Sequence, residues 1–191
     1  MIRKAVLLAV MTACTVGCGV QPTAPSGKIG PEVSTFPPDT PRGTEPTAAG
    51  AAEACPRTTA GAPSFVPPAP HPPVSPFEEQ FWFGSEVLWT SLPRDGIWTG
   101  LPYDQAGRTQ KTWWWSEGYS VSIEPRPALT VSTQRMDAPA PAANTSAATN
   151  AYAVDIGQAM LVGIEFPTAG CWGITGEYKG SIVSFVVWVA P

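Results

Sequence analysis

Histidine is all but missing from this chain: a single one, His71, stands inside a proline-rich stretch. One imidazole excludes a Ser-His-Asp triad and a histidine-built zinc site, and it leaves acid–base chemistry to other groups. Cysteine is nearly as scarce, with four in 191 residues, and Cys55 and Cys171 lie too far apart for a Cys-x-x-Cys motif. Charged residues amount to 14% and form no basic run, which argues against nucleic acid and against polybasic contacts with a membrane. The formal charge of −4 is ordinary solubility charge. No helix is evident, so no glycine-rich loop leads into one and no nucleotide-binding motif forms. No cofactor is expected.

Proline, by contrast, is abundant at 23 residues, and its placement divides the chain. From Gly19 to about Ser75 there are 14 prolines, much Ala, Thr and Gly, and no tryptophan. Nothing there repeats with a period of two or 3.6. Such a segment cannot bury enough apolar surface to offset the entropy of ordering it. Residues 18–54 therefore read as a flexible tether and 55–76 as a proline-rich segment held against a domain. All eight tryptophans lie after Phe77, and residues 77–191 have the size of a single folded core.

The amino terminus carries Arg3 and Lys4, then an apolar run from Ala5 to Thr15, then small residues leading into Gly17-Cys18. This is the layout of a secretory signal over residues 1–17, too short and too lightly flanked to span a bilayer. A cysteine directly after a small residue at that place resembles the lipobox of bacterial lipoproteins. The resemblance implies cleavage before that cysteine, acylation of it, and an extracytoplasmic protein held to the membrane by lipid. Cys18 and Cys14 are both candidates. Cleavage before Cys18 leaves Cys55 and Cys171 as an even pair, whereas cleavage before Cys14 strands Cys18 as an odd thiol in an oxidising compartment. The parity favours Cys18, and it predicts a Cys55–Cys171 disulfide. Loss of Arg3 and Lys4 takes the charge from −4 to −6.

The domain reads as all-β, a single sandwich with immunoglobulin-like topology as the first expectation by analogy. Strands are expected at 86–91, 111–116, 128–135, 160–166, 171–178 and 181–189, with a turn at Leu92-Pro-Arg-Asp-Gly96. In the fourth, Met160, Val162, Ile164 and Phe166 share one face. The last two form a hairpin around Lys179-Gly180, where positive φ is expected. Alternation places Trp172 and Ile174 on one face and Cys171 on the other, beside Gly173.

Several phrases occur together: Phe81-Trp-Phe-Gly84, Leu88-Trp89, Leu92 to Trp98, Lys111 to Trp115, Phe166 to Trp172 and Phe185-Val-Val-Trp188. In these the chain, over about residues 55 to 191, resembles a group of bacterial lipoproteins with a proline-rich lead and a small C-terminal β domain. The resemblance implies architecture and location, and it carries no activity or site residues with it.

Among groups that could carry chemistry, paired carboxylates are the one catalytic device the composition permits. Glu78, Glu79, Glu86, Glu117, Glu124, Asp137, Asp155, Glu165 and Glu177 are available, none in a recognisable motif. Catalysis is not expected. Met136, Met160 and His71 have the chemistry of a soft copper site, but Met160 lies on the apolar face of its strand, so no metal is expected. Trp113-Trp114-Trp115 cannot all enter one core, because neighbours on a strand point to opposite faces. If Trp114 points inward, Trp113 and Trp115, with Lys111 beside them, make an outer aromatic surface of the kind that stacks sugar rings or proline-rich segments. The chain supplies such a segment itself in 62–76, expected to favour polyproline II, and this segment or another loop is expected to cover the outer tryptophans ahead of an external ligand. The expected function is a monomeric, non-catalytic binding or structural module of the cell envelope, whose partner is an envelope protein or a glycan. A carbohydrate site at Trp113 and Trp115 and a carboxylate-dependent glycan hydrolase are the alternatives.

Overall fold

Alternation of apolar and polar residues makes strand the dominant regular structure of this molecule. The computed structural model describes residues 48–61 and 65–191. Five strands, β1 (Gln80–Gly84), β2 (Trp89–Pro93), β4 (Arg108–Trp115), β8 (Gly157–Phe166) and β6 (Asn144–Thr145), lie side by side in that order in the first sheet. A further strand, β7 (Thr149–Ala153), also pairs with β8, so β6 and β7 together form one interrupted edge. The second sheet has the order β3 (Ile97–Trp98), β10 (Ser181–Val189), β9 (Gly170–Tyr178), β5 (Thr130–Arg135). The pairs are antiparallel except β3 with β10. The molecule is thus an all-β sandwich.

Period two decides what lies between the sheets. β8 sends in Met160, Val162, Ile164 and Phe166; β10 sends in Val183, Phe185, Val187 and Val189; β9 sends in Trp172, Ile174 and Tyr178. Trp114 joins them from β4, wholly buried. The β9–β10 hairpin turns on Lys179 (φ 48°) and Gly180 (φ 83°), the double positive φ that matches strand twist. Lys179, which lacks glycine's freedom there, is tied down by Glu124 at 2.9 Å and by the Gly118 carbonyl at 2.9 Å.

Four expectations need correction. The strand expected at 86–91 begins at Trp89, because the Ser85 hydroxyl accepts the amides of Val87 and Leu88 and turns the chain there. The preceding strand, β1, was not expected, since it is short and adjoins the proline-rich stretch; β3, β6 and β7 escaped for the same shortness. A helix, α1 (Ala48–Ala54), occupies the end of the segment read as flexible tether, so ordered chain begins before residue 55. Finally, residues 65–76 are not one continuous polyproline rod: they turn at Ala69–His71, with a cis Ala69–Pro70 peptide and the His71 amide on the Pro68 carbonyl.

Cys55 and Cys171 are disulfide-bonded. Cys171 projects to the outer face of the second sheet, as the alternation requires, and shares a buried cluster there with Trp188 and with Ala51 and Ala52 of α1. The space over Gly173 is taken by Met136. Beyond the disulfide the chain follows the edge of β10, exchanging hydrogen bonds between Thr58 and Val186 before the Ala60 amide reaches the Arg94 carbonyl. Cys14, Cys18 and residues 19–47 lie outside the described residues.

Candidate functional site

The outer face of the first sheet carries a second aromatic layer. Phe81 and Phe83 point inward, so Trp82 between them points out; Trp89 and Trp115 stand opposite one another in the β2–β4 register and also point out. Of the tryptophan triplet, Trp114 is inward and Trp113 and Trp115 are outward.

That layer is roofed by the chain itself. Phe65 lies 6.3 Å from the Trp89 ring and the His71 edge 5.1 Å from it. Phe77 packs on Trp113 and Trp115 at 5.7 and 6.3 Å. The Trp82 indole donates to the Pro72 carbonyl at 3.0 Å, and the hydroxyls of Ser75 and Ser91 meet at 2.6 Å. Trp82 meets Trp115 edge-on at 4.9 Å, and the Trp115 indole donates to the Ile156 carbonyl. The Trp89 indole is fully buried and finds no acceptor among the described residues, a cost of about 1–3 kcal/mol. Burial holds the His71 pKa below its ordinary value, against the opposing pull of Glu117.

The alternative of an open sugar platform at Trp113 and Trp115 is therefore closed, and the cover expected from the 62–76 segment or another loop reaches this pair through Phe77. Trp115 has no exposed surface, Trp113 is half-buried beneath Phe77, and only Lys111 of the three is exposed. No sugar can stack on that pair while the strap is in place. The tryptophan alternation and a cover over it from the 62–76 segment or another loop were readable in sequence, but the recruitment of Trp82, Trp89 and Phe77 was not. Its one available signal was the Phe-Trp-Phe alternation at 81–83.

A different cleft remains open. Past Thr90, β2 and β4 share no register pairs; β2 turns through Arg94-Asp95-Gly96 and the chain enters the other sheet as β3. The gap is a cleft of about 490 Å³, with Glu78, Glu79 and Gln80 on one wall, Arg94 and Asp95 at the turn, and Trp98, Leu101 and Gln110 beneath. Glu79 holds a φ of 56°, in the left-handed region that costs a non-glycine residue on the order of 1 kcal/mol or more.

The other groups singled out above are dispersed. Met160 is in the core, Met136 lies on the second sheet and His71 over the first; among the described residues no cluster of three His, Cys, Asp or Glu could hold a metal. Glu124 is drawn down to about 2 by the Lys179 ammonium, the Ala128 amide and the Tyr178 hydroxyl. Burial opposes ionisation of Asp137, but hydrogen bonds from Arg135 and the Cys171 backbone outweigh it and its pKa falls. Among the described residues no helix is long and apolar enough to cross a membrane. The chain matches no protein-family model, no curated protein and no solved structure.

Proposed function

We propose that this chain is a bacterial cell-envelope protein held to its membrane by lipid on Cys18, carrying the sandwich as a non-catalytic binding or structural module. The observation that supports this most is the path of the incoming chain. It is bonded to the second sheet at Cys55–Cys171, runs along β10, and then covers the aromatic face of the first sheet. A domain displayed at the end of a tether needs its entry point fixed in this way, so that a pull on the tether is borne by a covalent bond. The disulfide also suits an oxidising, extracytoplasmic compartment.

The non-catalytic reading draws support from the carboxylates. Glu124 and Asp137, whose surroundings shift their titration, are both shifted down and both neutralised by cations. A general acid needs the opposite environment. We also read the sandwich as immunoglobulin-like. The order β2-β4-β8-β6 against β5-β9-β10 follows the ABED and CFG pairing of such domains, though the disulfide joins the second sheet to Cys55, just after α1, rather than one sheet to the other. The domain acts as a monomer, with the membrane and an envelope protein or glycan as partners.

Metabolic labelling with a clickable fatty acid tests the anchor. Label is expected on the wild type and on Cys14→Ala and absent from Cys18→Ala. Retention of label by Cys18→Ala would overturn the assignment.

A further inference from the structure

We propose that the open cleft beneath Glu79 and Arg94 binds a short neutral or amino-bearing saccharide. This rests on the module reading above and gives that module a ligand class, at a place separate from the strap-covered tryptophans. The cleft has the volume of a small-molecule site. Of its polar side chains, Asp95 accepts the Ile97 amide and Gln110 donates to the Lys111 carbonyl, while the others are unspent. Trp98 is 6% exposed and packs on Phe166 and Phe185, yet its indole N–H has no partner among the described residues. The side chains of Gln80, Glu79, Arg94 and Thr99 likewise have none. Arg94 stands among three carboxylates, Glu78, Glu79 and Asp95, and closes no ion pair among the described residues.

Donors and acceptors side by side over an apolar floor of Trp98 and Leu101 suit a ring bearing hydroxyls, each of which both donates and accepts. Three carboxylates against one guanidinium repel phosphate, sulfate and uronate ligands and tolerate an ammonium. Glu79 adds a second mark. Its backbone is kept left-handed by the Arg94 amide on its carbonyl at 3.0 Å and by the Gln80 amide on Phe77 at 3.3 Å, and strain of this kind collects where a side chain must be aimed. Glu78, Glu79 and Asp95 are exposed, so each can reach a ligand that enters from solvent.

The test is ¹⁵N NMR of the full chain in a sugar-free detergent, titrated with chitotriose, its N-deacetylated form and, as anionic control, trigalacturonic acid. The Trp98 indole signal, assigned through Trp98→Phe, is expected to move with the first two only. Gln80→Ala and Glu79→Gly should each weaken binding about tenfold, the loss of one or two hydrogen bonds. Glu79→Gly should at the same time raise the melting temperature, because glycine accepts that φ, which separates lost binding from lost folding. A Trp98 signal unmoved by either amino-sugar oligomer, movement unaffected by both variants, equal movement with the anionic control, or cleavage of the sugar overturns the proposal. Fatty-acid labelling is independent of all of these, so loss of the anchor reading and loss of the saccharide reading are told apart.

Discussion

Trp114 and Gly176 face each other across the sandwich so closely that the indole fills the space a β-carbon at position 176 would need. Glycine in a strand interior usually weakens it. Here it is what allows the inward tryptophan of β4 to press against β9, with its N–H on the Thr112 hydroxyl at 3.0 Å. Gly176→Ala should therefore cost about 1–3 kcal/mol by overpacking, read from urea unfolding. Trp114→Phe combined with it should cost less than the two changes summed, since they share one contact.

The disulfide closes a loop spanning 116 positions. Cys55→Ser with Cys171→Ser should lower stability by about 2–5 kcal/mol. Because the bond clusters with Trp188 on the second sheet and not with Trp113 or Trp115 on the first, Trp188 should become the most quencher-accessible of the three. Greater exposure of Trp113 or Trp115 instead would place the bond's influence on the wrong face.

The outer tryptophans should differ in weight. Trp115 is sealed and hydrogen-bonded to Ile156, so Trp115→Ala should cost about 3–5 kcal/mol. Trp113 keeps part of its ring in water, and Trp113→Ala should cost clearly less. Equal losses in thermal unfolding would contradict the half-buried position of Trp113.

Glu124 supplies a pH signature. Its folded pKa is about 2 against an ordinary 4.5, so its ion pair stabilises fully above the higher value and is lost as pH falls through the lower one. The difference in melting temperature between wild type and Glu124→Gln should be constant above about pH 5 and shrink towards pH 2. A difference that grows on acidification would assign Glu124 the opposite role.

Local chemistry made much of this architecture legible. Alternation at 160–166 and 181–189 predicted which side chains enter the core, and Lys179-Gly180 predicted its hairpin, because period two and positive φ are properties of a few consecutive residues. Cysteine parity predicted the Cys55–Cys171 bond. The outward direction of Cys171 followed from its neighbours Trp172 and Ile174.

What needed the tertiary structure were relations between residues far apart in sequence. Whether Trp115 is a wet platform or a sealed core residue depends on Phe77, Trp82 and Ile156 arriving from other elements, and no periodicity in 113–115 encodes their arrival. The helix at 48–54 is seven residues long, too short to be stable alone, and it packs where the disulfide holds it to β9. The open cleft exists because β2 abandons β4 after Thr90 and continues in the opposite sheet. Sequence alone determines which side chains of a strand share a face. Only the meeting of the sheets and the strap decides which outward faces stay wet, because burial is a property of what lies opposite.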